Sequence, residues 1–222
     1  MGGCGVFDLS KTSFDAVICG CGGDPTLDPH EHARLLRAYA QPQRAYHTAQ
    51  HLRECFAHLR QARAALSQLE ISEIALALWY HDAVYRPQRS DNEARSAHWL
   101  RVRAQQFGIS PSGIERLAAM ILATRHGIGT LPDEPQTQLL LDIDLAILAC
   151  APARFREYCA QIRFDYAFVP EAIFVAKRAQ VLREFLTQRK IYHSAFGARF
   201  EAAARLNLTA EILKLVGTNA SV

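Results

Sequence analysis

Apolar residues recur every three or four positions through most of this chain, the spacing of one face of a helix. Alternating runs are short, and no Asn-Gly or Asp-Gly hairpin turn occurs. The pattern predicts a short helix near 12–19 and another starting in DPHEHARLLRAYA. In the latter, Asp28 is the expected N-cap, Pro29 the first position and Glu31 the closing member of a capping box. That assigns His30 and His32 to an exposed first turn. Further helices are predicted over 46–67, 70–84, 111–126, 136–149, 152–166, 170–188 and 195–215. SDNEARSAHWLRVRAQQFG supplies one more, with Ser90 and Glu93 spaced as a second capping box. The expectation is an all-α fold with one domain over 28–222; the glycine-rich segment 1–27 carries the weakest pattern.

One helix breaks the rule that a polar face alternates with an apolar one. ISEIALALWYHDAVY is apolar nearly all round, as a buried helix is. It nevertheless carries His81 and Asp82 side by side. A buried, unpaired carboxylate costs several kcal/mol, so it is normally paired, protonated or bound to a metal. Asp82 needs a partner.

Composition narrows the search. The 222 residues are 50% hydrophobic and 21% charged, a globular balance. A net charge of +3, dispersed in single arginines, gives no nucleic-acid signal. No apolar stretch approaches the ~20 residues of a bilayer span. The N-terminus lacks the basic start and apolar core of a signal peptide, and Val6 spoils a myristoylation reading of Met-Gly-Gly-Cys. Six scattered cysteines, none in a CxxC pair, read as reduced thiols in a cytoplasmic protein, with Cys150 and Cys159 as core.

Three further places put ligand-type side chains where a core helix prefers apolar ones. His47 and His51 lie four apart in YHTAQH, on one predicted helical face. His126 ends LATRH, and Asp142 and Asp144 interrupt LLLDIDLAILA. The same-face neighbours of Asp144 are Leu140, Leu141, Ile147 and Leu148, which makes it the expected buried carboxylate of the two. Histidines and carboxylates on different helices satisfy one another through a divalent cation. Mixed nitrogen and oxygen ligands favour Mn, Fe, Co, Ni or Zn over Ca, with Mg also admissible.

The order His51, His81–Asp82, Asp144 resembles the HD superfamily of metal-dependent phosphohydrolases. The chain is more closely similar to a bacterial family of predicted HD phosphohydrolases of about this length. The segments that carry the resemblance are QPQRAYHTAQH, LALWYHDAVY, DNEARSA, ILATRH, LLDIDLAIL, QIRFDYAFVP and IYHSAF…EAAARLNL. They run from about residue 34 to 213. YHTAQH also resembles the YHxxxH segment of cyclic-nucleotide phosphodiesterases, remote members of the superfamily. The resemblance implies an HD-type helical bundle holding one or two metal ions. It implies His51, His81, Asp82 and Asp144 as ligands, with His126 open between second-metal ligand and helix C-cap. It makes His47 a proton donor or phosphate contact. His47 and Asp82 would then be the catalytic pair in hydrolysis of a nucleotide or other small phosphate ester by a metal-activated water.

Phosphate binding favours arginine, whose fork matches two oxygens. Arg44, two residues before YHTAQH, is the first candidate, followed by Arg163 and Arg178, with Arg125 beside His126. Asp91 and Glu93 could orient the imidazoles, although capping explains them more cheaply. Tyr46, Tyr85, Tyr166 and Tyr192 are expected mostly in the core. A zinc protease would need HExxH, and a ferritin-like bundle ExxH; neither motif is present. The remaining rival is a non-catalytic HD domain that binds metal and nucleotide as a sensor or scaffold. Self-association is left open.

Overall fold

Every regular element among the described residues is helical. The computed structural model describes residues 7–125 and 132–219. In chain order its helices are α1 (Lys11–Gly20), α2 (Glu31–Tyr39), α3 (Ala49–Ala62), α4 (Gln68–Tyr80) and α5 (Asn92–Gln106). They continue as α6 (Pro111–Ala123), α7 (Pro135–Asp144), α8 (Pro152–Asp165), α9 (Glu171–Thr187) and α10 (Glu201–Asn219). None of the described helices is long and apolar enough to cross a membrane.

α4 is the axis of the larger core. Ser67 and Glu70 close a reciprocal capping box at its start, and every residue from Ile71 to Tyr80 is buried. That is what its all-round apolar sequence requires. α1, α3, α5, α6 and α7 pack against it. α1, from the weakly patterned N-terminal segment, contributes Phe14, Val17 and Ile18 to this core. A second apolar cluster joins α8, α9 and α10 to the 3-10 turn at Leu145–Ala149, and includes Tyr46 from the approach to α3.

Several predicted boundaries are corrected. Asp28 and Glu31 form no capping box: α2 starts at Glu31, with His30 before it making no side-chain cap. Glu31 is fully buried instead, accepting from Tyr80 Oη (2.9 Å), Trp99 Nε1 (2.7 Å) and Arg34 Nε (2.6 Å). His32 is not an exposed first-turn residue either. Its Nε2 bonds the Leu9 carbonyl oxygen (2.8 Å), and its ring packs on Phe14 and Trp79. α5 begins after Asp91 with no side-chain cap, so the Ser90–Glu93 box does not form. The helix predicted over 46–67 starts only at Ala49, because Thr48 caps it through the Gln50 N–H. The helices predicted over 136–149 and 195–215 are each split by a 3-10 segment, at Leu145–Ala149 and Gly197–Phe200.

Candidate metal centre

α4 stops at Tyr80, four residues before its predicted end, because the next turn is tied to two other parts of the chain. Arg44 donates from Nη1 to the Asp82 carbonyl (2.6 Å) and from Nη2 to the Ala83 carbonyl (3.0 Å). The Val84 N–H donates to Ser96 Oγ (3.0 Å). These bonds replace the i→i−4 ladder that would otherwise continue the helix. His81 becomes the C-cap residue.

The His81 imidazole then has one orientation. Its Nδ1 donates to the Leu78 carbonyl (2.8 Å), which leaves Nε2 for the centre. His51, on the first turn of α3, brings its own Nε2 to 3.1 Å from that atom. Asp82 Oδ2 lies 3.1 Å from His81 Nε2 and 3.7 Å from His51 Nε2. Asp144, the last residue of α7, places Oδ1 at 3.1 Å from His51 Nε2 and 3.5 Å from His81 Nε2. Four side chains from three helix ends thus converge, two imidazoles and two carboxylates.

Of these, His51, His81 and Asp82 lie close enough to one another to hold a metal ion. Two imidazole nitrogens facing each other cannot both carry a proton on that side, whereas a shared cation uses both lone pairs. Ligands about 2.1 Å from a common ion sit about 3.0–3.4 Å apart in octahedral or tetrahedral arrangements. Three of the spacings, all 3.1 Å, fall in that range, and those of 3.5 and 3.7 Å lie just beyond it. Cys55, one turn beyond His51 on α3, brings a thiol to the edge of the cluster, with Sγ 3.7 Å from the His51 ring nitrogens. His51, Cys55 and Asp144 form a second group close enough to share an ion. Burial holds the Cys55 thiol well above its ordinary pKa, with Asp144 and Asp82 adding to the shift.

The electrostatics are those of tightly coupled opposites. Burial disfavours a charged His81, but Asp82 and Asp144 outweigh it and hold the imidazole well above its usual range. Burial likewise disfavours ionised Asp82, yet His81, His47 and His51 keep it below the usual carboxylate range.

His47 precedes α3 and so shares no helical face with His51, although the two ring centroids are 6.1 Å apart. It is held from two sides. Its Nδ1 lies 3.2 Å from Asp165 Oδ2, and its ring stacks on Tyr85 at 3.9 Å. Asp165 is buried at the end of α8 and also accepts from the Ala45 N–H (2.5 Å). His47, Asp82 and Asp144 line one cavity of about 240 Å³ with Arg178, Glu93 and Tyr158. Arg178 Nη2 is buried there without a hydrogen-bond partner, and its guanidinium lies over the Tyr158 ring at 5.2 Å.

The arginine candidates separate. Arg178 reaches the cavity. Arg44 is buried, and its donors are spent on the Asp82, Ala83 and His47 carbonyls and on Gln41, so it shapes the site's backbone. Arg163 is bound to Glu171 and to the Tyr166 and Val169 carbonyls, which ties the α8–α9 connection. Arg125 follows the Thr124 C-cap of α6, outside that lining. Asp91 pairs with Arg89 at the surface, while Glu93 faces the cavity. Tyr46, Tyr85 and Tyr192 are buried. His126 falls outside the described residues.

The two aspartates of α7 exchange the burial assigned to them. Asp142 is fully buried, and Asp144 keeps 13% side-chain exposure at the cavity. Helical neighbours alone could not reveal this, because the segment after α9 folds over Asp142. The carboxylate accepts from the His193 N–H (2.9 Å), the Ser194 N–H (2.6 Å) and Ser194 Oγ (2.5 Å). Asp142 is a structural pin and Asp144 a member of the cluster.

Cys55 and Asp165 belong to the site although sequence pattern alone did not single them out. Cys55 stands four after His51, the spacing of one helical face, and that spacing is the signal that points to it. Asp165 lies within QIRFDYAFVP, with no local pattern to single it out. Comparison with family models, with curated proteins and with solved structures gives no match.

Proposed function

We propose that this chain is a metal-dependent phosphohydrolase of the HD type, acting on a small phosphate ester such as a nucleotide. The observation that supports the reading most is the sharing of one cavity. Asp82 and Asp144, the two carboxylates of the cluster, an Asp165-oriented His47 and an Arg178 whose Nη2 has no partner all line it. His51, His81, Asp82 and Asp144 would hold a divalent transition metal such as Mn, Fe, Co, Ni or Zn, with Cys55 favouring the softer ions. Such an ion supplies Lewis acidity, which polarises a phosphoryl oxygen and lowers the pKa of water.

The chain's own groups do the rest. His47 keeps Nδ1 toward Asp165, so Nε2 is left to give a proton to the leaving oxygen. Asp165 fixes the tautomer and steadies the imidazolium, while Tyr85 limits the ring's rotation. Arg178 offers its free Nη2 donor to a phosphate oxygen where little water competes. Its stack on Tyr158 holds the guanidinium in place. The dispersed cysteines suit a cytoplasmic setting.

Purified protein supplied with Mn, Co, Ni, Fe, Zn or Mg, each alone, should release phosphate from at least one member of a metabolite phosphate panel. Metal bound without turnover on any substrate would favour a sensor or scaffold role.

A further inference from the structure

A second concave site lies behind the metal centre, and its lining is unusual. The cleft measures about 460 Å³, and Arg34, Arg37, Arg44, Arg86, Arg89 and Arg95 line it. No acidic side chain is among its lining residues. Arg34 is neutralised by Asp28 and Glu31, and Arg89 by Asp91. Arg37, Arg86 and Arg95 make no ion pair among the described residues, and Arg44 is bound only to neutral oxygens. Arg37, Arg86 and Arg95 therefore bring three exposed guanidinium charges to one hollow with no ion pair, Asp91 acting on Arg95 only at longer range.

Like charges gathered in a concavity repel one another and raise the local potential. An anion entering the cleft relieves that repulsion and meets planar, bidentate donors. A single phosphate cannot reach three guanidiniums spread around a hollow of this size. An extended polyanion such as nucleic acid would want a stripe along the surface, and the rest of the chain's positive charge is dispersed. We infer that the cleft is a binding site for a di- or triphosphate chain, carried either by inorganic polyphosphate or by the tail of a nucleotide. Trp99, on the cleft wall, offers a ring edge to a nucleoside if one is attached.

The site is independent of the proposed hydrolysis. It shares Tyr85 with the catalytic cavity but none of the four clustered His and Asp side chains. The partition between them is the Arg44 guanidinium and the Asp82–Ala83 backbone that it holds.

Calorimetric titration of the full-length chain with inorganic tripolyphosphate tests this, with excess EDTA present so that no metal bridges the ligand. The double variant Arg37→Ala/Arg95→Ala removes two exposed cleft charges and should weaken binding at least about tenfold. Arg53→Ala/Arg60→Ala removes the same charge from the exposed face of α3 and should change it less than about twofold. ATP binding as tightly as tripolyphosphate assigns recognition to the phosphate chain alone. Much tighter ATP, with adenosine competing, assigns it to a nucleotide; either result supports the site. No heat at millimolar tripolyphosphate, equal loss in both double variants, or tighter binding of a single-stranded oligonucleotide would overturn it.

Discussion

His51 and His81 face each other across 3.1 Å, Nε2 to Nε2, from two helices that enter the core separately. Asp82 and Asp144 close on the same two atoms. Removing one imidazole should therefore abolish tight metal binding. His51→Ala is expected to lower metal content, measured by elemental analysis after growth in supplemented medium, to the level of a chelated sample. Cys55→Ser should reduce it only in part, and most for zinc. Equal metal in wild type and His51→Ala would refute a shared ion.

The same cluster predicts opposite pH trends for stability and metal affinity. In the chelated protein, His81 titrates well above 6.5, because Asp82 and Asp144 overcome the cost of burying its charge. The folded chain thus holds a proton more tightly than the unfolded one. Its contribution is fully present below 6.5 and is lost as pH rises through the folded pKa. A metal must displace that proton, so its affinity should rise over the same range. Metal titrations and thermal melts of chelated protein from about pH 6 to about pH 9 would check both trends. A flat metal affinity would count against His81 as a ligand.

His47 and Asp165 should act on turnover and spare the metal. His47→Ala is expected to lower kcat by about 10²–10⁴, and Asp165→Asn by about 10–100-fold, with metal content retained. For a proton donor, the His47→Ala loss shrinks on nitrophenyl phosphates, whose leaving groups need no protonation. An equal loss on good and poor leaving groups would move His47 to phosphate binding.

Arg44→Met should destabilise the fold by about 3 kcal/mol, since it leaves the Asp82 and Ala83 carbonyls without donors. Metal affinity should weaken with it, because Asp82 loses its backbone support. Denaturant unfolding of the chelated protein separates the first effect from the second. Full stability in the variant would show that water replaces the guanidinium.

Gly197 lies against the Asp142 carboxylate so closely that any Cβ would collide with it. Gly197→Ala should cost about 1–3 kcal/mol by forcing the pinned carboxylate away from Ser194. An unchanged melting temperature would mean that the 193–197 segment adjusts freely.

The helical fold class was legible in the sequence, because periodicity and composition are local properties of the chain. ISEIALALWY announced a buried helix by having no polar face, and α4 is buried along that whole stretch. Residue type also singled out His51, His81, Asp82 and Asp144, since a buried carboxylate needs a partner wherever it sits. Their convergence belongs to the tertiary structure. Asp82 leaves the helical register where Arg44, 38 residues earlier, takes its carbonyl oxygen and Ser96 binds the Val84 N–H. Asp142 and Asp144 exchange roles because Ser194, 52 residues later, closes over one of them. His47 finds Asp165 across 118 residues with no local pattern to join them. Local spacing decides which face of a helix a side chain occupies. Which group meets it there depends on packing between segments distant in the chain, and no single window of sequence contains both partners.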